Sequence, residues 1–291
     1  MNMKKMMFAG LMTAVLVLTS ACAPQPAATP EPAPAPEAAA NALADGNYFA
    51  QGDFDAKSGW KYMVTLEVKD GKIASVDWNG ASINGGTDKK TTSKDGKYGM
   101  KEKGGAIAEW HEQAALVEAF LVEKQDPKAI TLTDADGHTD AVSGATIKVK
   151  DFVELTEKAL AAGPVEKGPY KDGAYHAEAK EFAEKSGWKE TVDLTVVNGH
   201  IVAANWNGVH KDGGDDKKTQ SKDGRYGMKE KGGAVAEWHE QAALVEAFLL
   251  EKQDPAAITL VEDGKTDAVS GATIGVDGFV ELVNEALASA K

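Results

Sequence analysis

Residues 93–132 read SKDGKYGMKEKGGAIAEWHEQAALVEAFLVEKQDPKAITL, and residues 221–260 read SKDGRYGMKEKGGAVAEWHEQAALVEAFLLEKQDPAAITL. The two stretches differ only at Lys97/Arg225, Ile107/Val235, Val122/Leu250 and Lys128/Ala256. Upstream, the Ser-Gly-Trp at Ser58 recurs at Ser186, and the Trp-Asn-Gly at Trp78 recurs at Trp206. Downstream the register shifts by one residue, and TDAVSGATI of 139–147 recurs unaltered at 266–274. Each copy spans about 120 residues, a length that suits a globular domain and exceeds the roughly 20–50-residue period of a solenoid. The sequence therefore predicts two tandem homologous domains, 44–163 and 170–291, with residues 164–169 as the joint.

Within a copy the pattern predicts an α+β fold, a small antiparallel sheet with helices. Asp45-Gly46 precedes a short strand containing Tyr48. Met63, Thr65, Leu66 and Val68 mark a strand that turns at Asp70-Gly71-Lys72 into Ile73 to Trp78, a hairpin signal. A polar loop rich in Gly and Lys is expected from Asn79 to Gly105. Ile107, Trp110, Ala114, Val117 and Leu121 recur at helical spacing, and Asp126-Pro127 ends that helix near Gln125. A short strand over Ile130 to Leu132, a turn-rich segment from Thr139 to Thr146 and a helix marked by Phe152, Val153, Leu155 and Leu160 complete the copy.

The composition narrows the function classes. Hydrophobic residues make up 43% of the chain, enough for real cores, and the formal net charge is −13. An extended nucleic-acid footprint needs clustered Lys and Arg to displace counterions, so nucleic acid is not an expected partner. The same charge opposes adsorption of the folded part to anionic lipid. One cysteine allows neither an intramolecular disulfide nor a thiolate metal cluster. Redox chemistry would need a bound cofactor.

The N-terminus predicts export and anchoring. Lys4 and Lys5 precede an apolar run from Met6 to Leu18, too short to span a bilayer comfortably, and the small residues Thr19, Ser20 and Ala21 lead to Cys22. This resembles a bacterial lipobox, which implies a signal peptide over 1–21 and a lipidated Cys22 as the mature N-terminus. The linker over 22–43 holds six of the ten prolines and reads as a semi-extended tether. The resemblance implies a protein held by acyl chains on the outer face of the bacterial cytoplasmic membrane.

Several residues invite functional readings that weigh against plainer ones. His111 and His239 lack the second histidine four residues away that marks a helical zinc motif, so a polar helix face is the expectation. Ser143 and Ser270 do not sit in the G-x-S-x-G elbow of a nucleophile. The lysines of the polar loop (Lys89, Lys90, Lys94, Lys97, Lys101 and Lys103, with counterparts from Lys217 to Lys231) read equally as a solvated surface or as a patch facing an anionic ligand. Trp60, Trp78 and Trp110, with Trp188, Trp206 and Trp238, suit the cores, with one of each set free to face a ring system.

Asp140-Ala-Val-Ser-Gly-Ala-Thr146 and Asp267-Ala-Val-Ser-Gly-Ala-Thr273 are the sharpest motifs. Gly144 allows a tight turn, Ala145 leaves the approach uncrowded, and Thr146 is expected to present its hydroxyl at a helix start, where free amides suit a phosphate; a plain N-cap is the alternative. Asp140, Ser143, Gly144, Ala145 and Thr146, like Asp267, Ser270, Gly271, Ala272 and Thr273, match the D-x-x-[S/T]-G-A-T signature, and the chain resembles the FMN-binding domain family there. That resemblance implies FMN esterified through its phosphate to Thr146 and to Thr273, two covalent flavins in all. A magnesium-dependent flavin transferase would attach them from FAD, releasing AMP.

Lipobox, tether and paired domains together resemble the surface flavolipoproteins of flavin-based extracellular electron transfer. The implied role is an electron carrier rather than an enzyme with its own substrate. It would take electrons from a membrane NADH- and quinone-linked chain and pass them through FMN to extracellular acceptors such as ferric iron. The residues expected to meet the flavin ring are those repeated in or beside the polar loop: Trp78, Tyr98 and Met100, with Trp206, Tyr226 and Met228. The competing class is a non-redox binding lipoprotein with duplicated domains, and release of its signal segment (Phe8 to Ala21) as a signalling peptide is an additional role open to it. The anchor itself is testable: Cys22→Ala should move the protein from the membrane fraction to the medium or leave it uncleaved, read by fractionation and N-terminal mass.

Overall fold

The computed structural model describes residues 43–291; the signal segment, Cys22 and the linker before Leu43 lie outside the described residues. The first half opens with a three-stranded antiparallel meander of β1 (Gly46–Gln51), β2 (Trp60–Lys69) and β3 (Lys72–Ser82). Asp70 and Gly71 both take positive φ at the β2–β3 turn, the conformation that hairpin demands. Strand alternation then decides the faces. Tyr48, Ala50, Val64, Leu66, Val68 and Trp78 point to one side and are buried there under helices α2 (Trp110–Lys124) and α3 (Lys150–Ala162). The second half repeats this with β4 (Gly173–Glu178), β5 (Trp188–Val197), β6 (His200–His210), α5 (Trp238–Lys252) and α6 (Asp277–Leu287). The predicted α+β architecture with small antiparallel sheets is what the chain adopts.

The other sides of the two sheets meet. Met63 and Ala81 share a buried cluster with Val197, Val202 and Ala203, and Phe49 stacks on His200 with ring centroids 5.7 Å apart. Thr195 Oγ1 donates to the Gly86 carbonyl at 2.7 Å. The described residues, 43–291, accordingly belong to one compact unit.

The region expected to be a loop from Asn79 to Gly105 is more ordered than its composition suggests. β3 runs on to Ser82, and a six-residue helix α1 (Lys89–Lys94) follows, capped by the Asp88 carboxylate, which accepts from Thr91 N–H at 3.0 Å. α4 (Lys217–Lys222) is its counterpart. Lys89 and Ser93 are the buried residues of α1, and a lysine anchoring a helix to a core is invisible to apolar periodicity. Ile107, placed on the long helix by spacing, lies before its start and is exposed. The strand expected over Ile130 to Leu132 is a 3-10 turn at Pro127–Ala129 followed by a single bridge from Leu132 to Thr139.

α2 is fastened to the sheet by polar groups as well as apolar ones. Glu118, 9% exposed, accepts from Trp78 N–H at 2.6 Å and pairs with Lys90 at 2.6 Å. Lys90 also pairs with Asp77. In the second half Glu246 accepts from Trp206 N–H and pairs with Lys218, but Asn205 stands where Asp77 would. At the helix end Gln125 takes φ 61° and clasps both the N–H and the carbonyl of Ile73. Removing one partner of a buried pair strands the other, at about 3–5 kcal/mol. Glu118→Ala and Glu246→Ala should each destabilise the fold by roughly that amount, the second more because Lys218 keeps no carboxylate. Urea unfolding of the two variants would measure the difference.

Candidate functional site

A cleft of about 800 Å³ opens in the first half, and Thr146, Tyr98 and Met100 all line it. Trp60, Tyr62 and Trp110 supply aromatic walls, while Lys57, Lys148, Lys158, Asp151 and Glu154 contribute charges of both signs. Three parts of the sequence converge here: the β2 start, the segment after α1 and the turn before α3.

Each part is held by an identifiable bond. The carboxylate of Glu109, the residue before α2, accepts from Met100 N–H at 3.1 Å and Lys101 N–H at 3.0 Å. Glu109 N–H in turn donates to Glu112 at 2.7 Å, one arm of a capping box. The helix that fills the core therefore also places Met100 on the cleft. Tyr98 packs edge-on against Trp60 with centroids 6.0 Å apart, and its hydroxyl accepts from Lys89 Nζ at 2.9 Å.

The turn of residues 140–146 is built from the motif's own small residues. Thr139 Oγ1 donates to the Thr131 carbonyl at 2.7 Å and accepts from Ala141 N–H, which fixes the entry. Gly144 takes φ 86°, a left-handed conformation that favours glycine, and a Cβ there would press on the Leu116 Cδ1 methyl at 3.0 Å. Ala145 is buried, whereas Asp140, Ser143 and Thr146 are exposed. Asp267, Ser270 and Thr273 are likewise exposed, with Gly271 at φ 88° and Ala272 buried.

Thr146 does not start a helix. The N-cap of α3 is Val149, and Val276 precedes α6 in the same way, so the two motif threonines stand three residues before each cap. What fixes Thr146 is Gln113, a fully buried residue of α2. Its Oε1 accepts from Thr146 N–H at 2.7 Å and from Thr146 Oγ1 at 3.0 Å, and its Nε2 donates to the Ala108 carbonyl. Gln241 holds Thr273 by the same bonds. Sequence reasoning passed over this glutamine. Its signal is an amide on the apolar face between Trp110 and Val117, where burial demands hydrogen-bond partners.

The remaining expectations divide. Trp78 and Trp206 are fully buried against Trp110 and Trp238, 5.2 Å between centroids in each half, and Trp78 is not among the cleft's lining residues. Core packing claims them because they alternate onto the helix-covered face of the sheet. Trp60 and Trp110 are the tryptophans that line the cleft. Tyr226 and Met228 are half-buried against the second core. The lysines part company too. Lys94, Lys97, Lys101 and Lys103 are exposed, Lys90 and Lys218 are tied to carboxylates, and Lys89 and Lys217 lie buried among rings. His111 and His239 sit at the α2 and α5 starts, each with Nδ1 2.9 Å from the hydroxyl of Ser93 or Ser221.

Charge at the cleft follows burial. Burial pushes the Tyr62 and Tyr98 hydroxyls above their ordinary range, so both stay protonated. Burial, aided by the nearby Glu154, also raises Asp151. The aromatic and thioether walls of the cleft are thus neutral, beside charged side chains of both signs.

Comparison with known proteins bears on this geometry. Residues 176–288 match the family model described as the FMN-binding domain. A Clostridium thermocellum protein of known solution structure is 61% identical over 41% of this chain and 92% of its own, with a TM-score of 0.34. A Clostridium perfringens protein of known crystal structure is 26% identical over 42% of this chain and 88% of its own, with a TM-score of 0.33. No curated protein matches the chain.

The role of Gln113 can be measured directly. Gln113→Leu should free the Thr146 amide, costing about 1 kcal/mol for the lost hydrogen bond and removing its protection in hydrogen exchange. Thr273, held by Gln241, should keep its protection in the same sample.

Proposed function

This chain belongs to the FMN-binding domain family, and we propose that each half carries FMN through a phosphoester, on Thr146 in the first and Thr273 in the second. The observation that carries this reading is the meeting of Thr146 with Trp60, Tyr98 and Met100 on one cleft large enough for a ring system. The residues fit the group: an exposed hydroxyl beside a turn without bulk, and flat apolar walls to stack a ring. Gln113 orients Thr146 by accepting hydrogen bonds from its N–H and its hydroxyl, while the side chain stays exposed to an incoming phosphate. Loss of that hydroxyl proton on esterification leaves the N–H bond to Gln113 in place, so the backbone stays pinned. Tyr98 and Met100, held by Lys89 and Glu109, form a wall set before any ligand arrives.

Bound flavin would accept one or two electrons, so it can join a two-electron donor to a one-electron acceptor; the protein supplies position and electrostatics. The cellular role follows from the N-terminus. A lipid on Cys22 and the tether over 22–43 would hold the folded part outside the cell, within reach of a membrane NADH- and quinone-linked chain, with ferric iron or a similar acceptor beyond it. Covalent attachment suits that place, where a dissociated cofactor is lost by dilution. The partner that builds the site would be an FAD- and magnesium-dependent flavin transferase.

The test is an intact mass of the mature protein made with such a transferase. Two FMN additions are expected, one in Thr146→Val or Thr273→Val, and none in the double variant. Flavin that survives denaturation in the double variant would overturn the assignment, and colourless wild-type protein would favour the binding-lipoprotein class.

A further inference from the structure

The two halves differ sharply at one buried lysine. Lys89 is 1% exposed and enclosed by aromatic rings, its Nζ lying 4.6 Å from the centroid of Trp60, 4.9 Å from Tyr62, 4.3 Å from Tyr98 and 5.3 Å from Trp110. All four rings line the cleft with Thr146, so the ammonium stands one ring behind its wall. Gly80 makes this possible: a Cβ there would lie 3.2 Å from the lysine's own Cβ and Cδ.

Lys217, its counterpart, lies over Trp238 at 4.2 Å and Tyr226 at 5.7 Å, but also pairs with Glu190 at 3.4 Å. Glu190 occupies the place of Tyr62: one faces Gly208 across the hairpin and the other Gly80. The exchange is compensated on the final helix. Asp151 of α3 corresponds to Gly278 of α6, and a Cβ at Gly278 would sit within 2.4 Å of Glu190 Oε2. The carboxylate has moved from helix to strand, and the helix has given up its side chain to make room.

We propose that the two flavin sites are built with unequal electron affinity: Glu190 neutralises Lys217 behind the second site, whereas Lys89 stands uncompensated behind the first and holds added negative charge there. The proposal rests on the flavin reading above. Reduction of a flavin ring by two electrons and one proton adds one negative charge. A cation inside low-dielectric surroundings stabilises that charge more than a paired one does, and salt screens it little. The first flavin is therefore the one reduced at the higher potential, and electrons shared between the two reside there.

The same environment makes the first site sensitive to pH. Burial alone pushes Lys89 down to about 7, with no carboxylate near enough to oppose it. At Lys217 burial acts in the same direction, but Glu190 opposes it. The other groups packed around Lys89 do not cancel its charge: Tyr62 and Tyr98 stay protonated, Asp151 acts on Tyr62, and Lys90 on the same helix is tied to Asp77 and Glu118. A reduced ring favours the charged lysine, so the first potential should fall more steeply than the second as pH rises through 7.

The experiment uses the full chain. Lysine side-chain NMR of unflavinylated protein should show Lys89 titrating near neutrality and Lys217 above it. In flavinylated Thr273→Val and Thr146→Val, which keep one flavin each, spectroelectrochemistry at pH 6 should place the first site at the higher potential. Lys89→Met should lower the first potential, and Glu190→Gln should raise the second. If the lysines titrate alike, or the two single-flavin potentials coincide and neither substitution moves its site, the proposal is overturned. Failure of the threonines to take flavin would instead overturn the attachment reading, while the lysine titration would still report the charge difference.

Discussion

The bond from Trp78 N–H to the carboxylate of Glu118 is the one on which the first half is assembled. A carboxylate under a helix loses its water and must be met by protein donors, and here the donors come from the third strand and from α1. Satisfying that requirement sets the height and rotation of α2 against the sheet. Everything else on the helix then falls into position: Trp110 against Trp78, Gln113 toward the Thr146 turn, Glu109 toward the Met100 segment and Gln125 over the start of β3. A helix held by leucines alone could slide or roll by a few degrees at little cost. One pinned by directional bonds at both ends and in the middle cannot, and the threonine turn inherits that precision through a single amide.

This arrangement separates the parts of the site by physical role. The threonine turn packs Val142 and Ala145 into the core and takes the rest of its shape from the positive φ of Gly144 and from Gln113. The ring walls are side chains that also shield the buried lysine, so the same aromatic surface serves the cleft and the core. Function and stability here draw on one set of residues, a familiar source of trade-off when a site is altered.

The hairpins and the long helix were legible in the sequence because each rests on a strong local signal. Asp70-Gly71 marks a turn, and the spacing of Trp110, Ala114, Val117 and Leu121 marks a face. The Asp-to-Thr motif was legible as a string, but its place was not: Thr146 reads as a helix start, whereas the helix cap is Val149 and Thr146 is held by Gln113 through tertiary contact. Lys89 was legible as a charge on a solvated surface or facing an anionic ligand, and not as a buried one. Nothing local announces that four rings, contributed by β2, by the segment after α1 and by α2, will close over it. Trp78 was open to two readings, and strand alternation, which needs the pairing register, decides for the core.

The near-identity of α2 and α5 carries a demand on how the chain reaches its native state. Within the helices only Val122 and Leu250 differ, and both use the same glutamine and glutamate to dock. Each helix therefore fits the berth of the other, and two berths lie within one chain. Sequence similarity between neighbouring modules favours exchange of elements during folding. Synthesis from the N-terminus offers a natural remedy, since the first berth is filled before the second helix leaves the ribosome. Refolding from denaturant removes that ordering in time, so a fraction of chains should close with their helices traded, compact yet unable to align either threonine turn with its own strands.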